Sequence, residues 1–249
     1  MSEQHLAVIP CRSGSKTIVN KNLIQLNHKT LVRMALEVAL KANFFSRVIV
    51  STDYPRHRLQ IDDIDDIATL SKVVYAPRHA EFARDDTRMM DTIQNVLDNY
   101  GGSEKWVWVL QPTSPFRTVD DFKRIKTALS SGEWEACLSF KPLKEYIDRS
   151  YTVKEAIYYR LNQTNYKNKE ELKTQAHRSG NFYVTTRENI IKKKTFEVKP
   201  FFGYAMGNID IENCTSAEWL RSRDLGTNID DIGDLRDAKG VISRGDFIL

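Results

Sequence analysis

The sequence predicts an α/β protein whose core is a mostly parallel β-sheet covered by helices on both faces. Two observations predict this fold. Short apolar runs of strand length alternate with helical segments through the first half of the chain, which is typical of parallel sheets. The runs are apolar throughout, as in strands that are buried on both faces. A chain of 249 residues with 41% hydrophobic residues is long enough for one large domain.

Each strand is predicted from an apolar run, and the first one ends at Pro10. In chain order the predicted strands are 6–9, 48–50, 73–75, 106–110, 136–140 and, after an interruption, 180–184.

Helices are predicted from apolar residues at helical spacing and from capping signals. Thr118 with Asp121 has the pattern of a capping box, and Gly101 ends the helix before it. In chain order the predicted helices are 31–42, 61–67, 92–100, 118–129 and 216–223.

Three regions depart from this alternation. The tyrosine-rich stretch 141–177 is polar, and we interpret it as an insertion or an oligomerisation element. Residues 228–249 are expected to form a loosely packed tail, so that the main domain spans 1–227. Alternation at 208–212 predicts a further strand that places Asp210 and Glu212 on one side.

Composition excludes several classes of protein. A net charge of +4 is too small to indicate nucleic-acid binding, although it suits small anionic ligands. No apolar run reaches the roughly 18 residues of a membrane span, and residues 1–5 lack a signal-peptide core. Three widely spaced cysteines are typical of reduced thiols. We therefore expect a soluble, cytoplasmic protein.

Ligands of open parallel sheets bind beyond the carboxyl ends of the strands, which here follow Ile9, Val50 and Leu110. The first of these loops contains Gly14-Ser15-Lys16-Thr17, but it lacks the earlier glycine of a P-loop. Its cations and hydroxyl groups suit a triphosphate, and a solvated basic loop is an equal alternative.

Two other segments have structural alternatives that are the simpler interpretation when each is taken alone. The loop 111–118 presents several hydrogen-bond donors between two prolines, or is a rigid turn before a helix. Asp210 and Glu212 suit a hard cation such as Mg²⁺, or the polar face of an edge strand.

Together these segments resemble the cytidylyltransferases that activate sialic acids and related bacterial nonulosonic acids. Residues 10–22 resemble the family pattern P-A-R-x-G-S-K-G-[IL]-x-x-K-N, and 50–53 resemble its strand ending in S-T-D. Residues 78–87 resemble R-P-x-E-L-A followed by D-D-T, 110–117 resemble L-Q-P-T-S-P-L-R, and 209–212 resemble I-D-I-D. The motifs follow the family order, so the set is far more specific than any one of them.

The resemblance implies a Rossmann-like nucleotidyltransferase fold and a reaction in which CTP and a nine-carbon sugar acid give a CMP-sugar and pyrophosphate, assisted by Mg²⁺. It also implies a homodimer in which the 141–177 insertion reaches the partner. An eight-carbon, Kdo-type sugar acid and a nucleotide-binding homologue without catalysis are the alternatives.

Roles are transferred from the family patterns to matching positions. Arg12, Lys21 and Asp210 would be catalytic, and Asp210 and Glu212 would hold the metal. Gln111, Thr113, Ser114 and Arg117 would face the sugar acid, with Arg117 alternatively bracing the loop. The nucleotide would contact Arg12, Ser13, Gly14, Ser15, Lys16, Lys21, Asn22, Arg78 and Thr87.

Three of the departures from the patterns bear on the loop, the metal and the sugar acid. Thr17 replaces a glycine, so its backbone is expected to avoid positive φ. Glu212 replaces an aspartate and is one methylene longer. Residues 177–183 differ from the family's R-P-N-G-A-I-Y, which leaves the particular sugar acid open.

Overall fold

The computed structural model describes residues 3–61, 70–142, 151–154, 157–160, 176–211 and 213–247. Seven strands of the described chain form one central sheet in the order β11-β7-β10-β6-β1-β4-β5. Its strands are β1 (His5–Cys11), β4 (Phe45–Thr52), β5 (Val73–Pro77), β6 (Trp106–Val109), β7 (Ala136–Pro142), β10 (Ala176–Thr186) and β11 (Phe201–Ala205). The short pairs β2 (Gln25–Leu26) with β3 (Lys29–Thr30), and β8 (Tyr151–Lys154) with β9 (Ile157–Arg160), lie outside it.

The central sheet is mostly parallel, which confirms the predicted fold class. β1 pairs in parallel with both β4 and β6, and β7 pairs in parallel with β11. β10 is antiparallel to both of its neighbours, β6 and β7. The carboxyl ends of β1, β4 and β6 therefore meet at one edge, where the sequence placed the ligand.

Six α-helices accompany the sheet in the described residues, and several have clear start and stop signals. They are α1 (Leu31–Ala42), α2 (Met89–Tyr100), α3 (Val119–Ser130), α4 (Arg187–Lys193), α5 (Ser216–Leu225) and α6 (Ile232–Ser243). The predicted capping box of α3 is formed by Thr118 and Asp121. Helix α1 ends where Asn43 adopts φ 56°, a left-handed conformation that asparagine tolerates. The helix predicted at 61–67 lies almost entirely outside the described residues.

Both faces of the sheet are buried. Alternate residues of β1 enter different cores, with Ala7 and Ile9 in one cluster and Leu6 and Val8 in the other. This is the period of two expected for a strand that is covered on both faces. The continuous apolar runs of the sequence are explained by this burial.

Two sequence expectations are wrong. β11 ends at Ala205 instead of continuing through 208–212, because Gly207 and Asn208 have φ angles of 77° and 54° and turn the chain. Residues 228–247 are not loosely packed, since Ile229, Ala238 and Val241 belong to the larger core cluster. Most of the 141–177 segment lies outside the described residues. Its oligomerisation role stays a prediction.

Candidate nucleotide-binding site

A cleft of about 660 Å³ opens at the edge where β1 and β6 end. This volume is in the range of small-molecule sites. Eight of the nine sequence-predicted nucleotide contacts line the cleft, although contact with a nucleotide itself stays a prediction. They are Arg12, Gly14, Ser15, Lys16, Lys21, Asn22, Arg78 and Thr87.

The cleft is strongly cationic. Five cationic and two anionic side chains line it, namely Arg12, Lys16, Lys21, Arg78 and Arg84 against Asp85 and Asp230. Like charges gathered in a concave surface focus the potential inside it. The cleft is therefore suited to a ligand that carries several negative charges.

Arg12 and Lys16 share one carboxylate. Arg12 Nη1 lies 2.9 Å from Asp85 Oδ1, and Lys16 Nζ lies 3.0 Å from Asp85 Oδ2. Arg12 also donates to the backbone carbonyl of Arg84 at 2.9 Å. These contacts, with Lys16 the largest influence, lower the pKa of Asp85. The loop after β1 is thus joined to the segment after β5.

Ser13 faces away from the cleft. Its backbone N–H donates to Asp53 Oδ1 at 2.7 Å, and its hydroxyl donates to Asp53 Oδ2. Ser13 is consequently absent from the cleft-lining residues of the described chain. Its observed contribution is to fasten the loop to the end of β4, which differs from the predicted nucleotide contact.

Thr17 and Lys21 reach the opposite wall of the cleft. Lys21 Nζ lies 3.0 Å from Asp230 Oδ1, and the Thr17 hydroxyl donates to the Asp230 carbonyl at 2.6 Å. Thr17 does not appear among the positive-φ residues of the described chain, as expected for a β-branched residue. The loop therefore accommodates threonine without strain.

Arg78 and Asn22 lie deep in the cleft. Arg78 donates through Nη2 to the Ser51 carbonyl at 3.0 Å, and burial lowers its pKa. The Asn22 side chain is buried and donates to the Arg12 carbonyl at 2.8 Å.

Burial also raises the pKa of the Cys11 thiol to about 12, so Cys11 is neutral and is no nucleophile at physiological pH.

The predicted sugar-facing residues divide into two pairs. Gln111 and Thr113 line the cleft, whereas Ser114 and Arg117 are buried and do not appear in its described lining. Arg117 donates to the backbone carbonyls of Gln111 and Asn181 at 2.8 and 2.6 Å. Burial lowers its pKa to about 9. These contacts favour the bracing alternative for Arg117.

Ser114 is also a bracing residue. Its hydroxyl lies 3.1 Å from Asn228 Oδ1 and 3.3 Å from the Ser179 carbonyl, and its single proton serves one of them at a time. Gly180 packs against the same loop at φ 81°, where an added Cβ would lie 2.7 Å from Gln111 Oε1. The positive φ favours glycine at this position, and a larger residue would also displace the end of the Gln111 side chain.

The metal-ligand prediction does not match the cleft. Asp210 is exposed, accepts from Asn213 Nδ2 at 2.7 Å, and is not among the described cleft-lining residues. Glu212 lies outside the described residues. A turn at Gly207 and Asn208 stands where the strand expected at 208–212 would have begun, so no strand aligns the two carboxylates in the described residues.

Asn228 and Asp230 are among the lining residues that the sequence interpretation missed. Asn228 Nδ2 donates to Asp230 Oδ2 at 2.7 Å, and Ile229 N–H donates to the Thr113 carbonyl at 2.7 Å. A signal was present, because Ile229-Asp230-Asp231 repeats the isoleucine–aspartate pattern just before a helix. Asp231 forms a capping box with Asp234 at the start of α6.

The fold and the cleft together define an α/β protein with a cationic cleft at the carboxyl edge of its sheet. Phosphate oxygens would meet the cations of the β1 loop, and the carboxylate of Asp230 would face them from the other wall. A model of the cytidylyltransferase family matches residues 6–202, and the chain belongs to this family.

Two of the relatives to which the chain is similar are named cytidylyltransferases of sugar acids. An N-acylneuraminate cytidylyltransferase of Escherichia coli O18:K1:H7 is 26% identical over 227 residues, covering 86% of this chain and 50% of the relative. The pseudaminic acid cytidylyltransferase of Campylobacter jejuni is 26% identical over 243 residues, covering 95% of both chains. The chain thus spans about half the length of the E. coli protein and nearly all of the C. jejuni protein.

A solved structure shares the fold. The CMP:2-keto-3-deoxy-manno-octonic acid synthetase complexed with CTP has a TM-score of 0.62 and 15% identity, covering 97% of this chain and 99% of that one. This likeness supports the nucleotidyltransferase fold that the resemblance implied. In the described part of the chain, no helix has the length and apolar character needed to span a bilayer.

Proposed function

We propose that this protein transfers the CMP group of CTP to a nonulosonic acid, giving a CMP-sugar and pyrophosphate. The observation that carries the proposal is the five-cation cleft at the carboxyl edge of the sheet, in a chain of the cytidylyltransferase family. Relatives named for N-acylneuraminate and pseudaminic acid support a nine-carbon acid as the acceptor.

The β1 loop is proposed to bind the triphosphate. Arg12, Lys16 and Lys21 supply charge, and the backbone from Gly14 to Ser15 lies at the cleft wall. Phosphoryl transfer depends mainly on positioning and on neutralising phosphate charge, so these residues would carry most of the catalysis. Asn22, Arg78 and Thr87 are proposed to contact the nucleotide from the same cleft.

Asp230 is proposed to hold Mg²⁺, with the amide of Asn228 beside it. The donor set fits, because Mg²⁺ is usually bound through one or two carboxylates together with substrate phosphates. In the described residues, no group of three or more acidic, histidine or cysteine side chains is placed to hold a metal ion by itself. Bound there, the ion would neutralise phosphate charge.

The sugar acid is proposed to enter beside Gln111 and Thr113. Its anomeric hydroxyl would attack the α-phosphorus, forming a new P–O bond as the bond to the β-phosphate oxygen breaks. The hydroxyl proton leaves to a base, for which the carboxylate of Asp230 is the candidate on this wall. Pyrophosphate departs with the bond electrons, held by Arg12 and Lys16.

We further propose a cytoplasmic homodimer that supplies activated sugar for cell-surface polysaccharide. Three free cysteines support a reducing compartment. The β8–β9 pair within the 141–177 segment forms a separate two-stranded sheet, which supports an added element there. Light scattering of the purified protein tests the dimer.

Pyrophosphate release tests the activity. The protein is incubated with CTP, Mg²⁺ and, in separate reactions, N-acetylneuraminate, pseudaminic acid or the eight-carbon 2-keto-3-deoxy-manno-octonic acid. We expect release that requires CTP and a nine-carbon acid. Release with the eight-carbon acid alone would replace the proposed acceptor. CTP binding without release from any acid would favour the non-catalytic homologue.

A further inference from the structure

Two contacts of different character join Asp230 to the loop after β1, in addition to its hydrogen bonds with Asn228 and Asp234. Its side chain forms the ion pair with Lys21 Nζ, and its backbone carbonyl accepts the hydrogen bond of the Thr17 hydroxyl at 2.6 Å. Both partners come from the loop after β1, more than 200 positions earlier in the chain. The two contacts therefore join the two walls of the cleft.

The ion pair between Lys21 and Asp230 is expected to weaken when a nucleotide enters the cleft. Lys21 lies in the cationic set that a triphosphate would contact, and its side chain is only 15% exposed while that of Asp230 is 67% exposed. An ammonium shared with phosphate oxygens binds the carboxylate less strongly. The Thr17 contact is neutral and involves a backbone oxygen, so it leaves the Asp230 carboxylate available.

We infer that Thr17 is a positioning residue that keeps the Asp230 carboxylate at the triphosphate when Lys21 turns to the phosphates. The inference rests on the proposed function, in which Asp230 faces the metal–nucleotide complex. It also gives a role to the residue that departs from the family's glycine, since glycine at this position has no hydroxyl to donate.

The matched variants are Thr17→Val, which keeps the branched shape but removes the donor, and Thr17→Ser, which keeps the donor. Val19→Thr is the control in the same loop, because Val19 is 81% exposed and lies outside the described cleft lining. Hydrogen exchange of residues 226–234, CTP affinity with and without Mg²⁺, and pyrophosphate release are measured for each.

With Thr17→Val we expect faster exchange in 226–234 and a roughly two- to ten-fold higher Mg²⁺ concentration at half-maximal CTP binding. The loss of one neutral hydrogen bond changes a binding constant by about two- to ten-fold. Affinity for CTP without metal stays within about two-fold, because the loop cations remain in place. Thr17→Ser restores most of both changes, and Val19→Thr behaves as wild type.

Equal exchange and equal Mg²⁺ dependence in Thr17→Val and wild type would overturn the inference. So would an equal loss of CTP affinity with and without Mg²⁺, which indicates a general loop defect. Absence of pyrophosphate release by the wild type contradicts the proposed function alone, since exchange and CTP binding still report on Thr17. A wild type that does not bind CTP would overturn both.

Discussion

Asp85 is a carboxylate in a place where phosphates are expected to bind. It pairs with Arg12 and Lys16, the two cations at the start of the phosphate loop. An anionic ligand must replace these contacts before it can use the same cations. Asp85 is therefore an internal competitor of the nucleotide.

Asp85→Asn is expected to tighten CTP binding by a few-fold, because the variant removes the competing charge from Arg12 and Lys16. Calorimetric titration with CTP measures the change. Asp86→Asn is the matched control, since Asp86 pairs with Arg84 at 2.9 Å and lies outside the described cleft lining. Unchanged or weaker binding in Asp85→Asn would show that Asp85 assists the nucleotide instead.

Asp230→Asn is expected to lower kcat/KM about 100-fold or more, because it removes the proposed base and metal ligand, and general-base catalysis contributes at least about that much. Asp210→Asn, which alters an exposed carboxylate outside the described lining, is expected to keep kcat/KM within about three-fold. Steady-state pyrophosphate release compares the two. The reverse ranking would return the catalytic carboxylate to the position that the sequence motif indicated.

Single residues also show how far the site could be predicted. Arg12, Lys16 and Lys21 were found because a strand end and a run of cations are local signals. Ser13, Ser114 and Arg117 are also hydrogen-bond donors. Their partners in the structure are Asp53, Asn228 and backbone carbonyls. Which side of a loop a side chain faces depends on tertiary contacts, which no local pattern contains.

At the scale of elements, strong local signals were sufficient for most of the fold. α1 spans the predicted 31–42, and α3 begins at its predicted capping box. The prediction of a strand at 208–212 was wrong because Gly207 and Asn208 form a turn, which the short apolar alternation did not reveal. The prediction of a loosely packed tail was wrong because the burial of α6 depends on its packing against distant parts of the chain.

β1 and β6 also contain a pH-sensitive contact. His5 on β1 is 3% exposed and accepts a hydrogen bond from Trp108 Nε1 at 3.1 Å. Burial, with Lys126 and Lys105 nearby, lowers the pKa of His5 to about 4, whereas Glu3 opposes the shift. As the pH falls from about 6.5 towards 4, His5 becomes protonated in the unfolded chain but stays neutral in the folded chain.

Stability is therefore expected to fall between pH 7 and pH 5 partly through His5. His5→Asn keeps an acceptor for Trp108 but does not titrate, so its loss of stability over this interval should be smaller than that of wild type. Urea unfolding at both pH values measures the difference. An equal loss in the two proteins would exclude His5 as a contributor, whatever the absolute stability of the variant.

At the scale of the whole molecule, the C-terminal segment belongs to both the core and the cleft. Ending the chain after Thr227 removes Ile229 and Val241 from the core and Asp230 from the cleft. We expect unfolding free energy to fall by more than about 3 kcal/mol, because each buried aliphatic side chain contributes about 1.5–3 kcal/mol. Urea midpoints measure it.

Asp230→Asn is the control for this truncation, because it changes the cleft and leaves the core residues in place. It is expected to unfold near the wild-type midpoint, which separates the loss of chemistry from the loss of fold. A truncated chain as stable as wild type would mean that α6 adds little to the core.

The two walls of the cleft also differ in when a ribosome makes them. The loop with Arg12 and Lys21 is translated more than 200 codons before the Asp230 that Thr17 contacts. Between those moments the nascent polypeptide carries the cations of the cleft without their last carboxylate. Full capture of a nucleotide thus has to wait until both walls of the cleft have been translated.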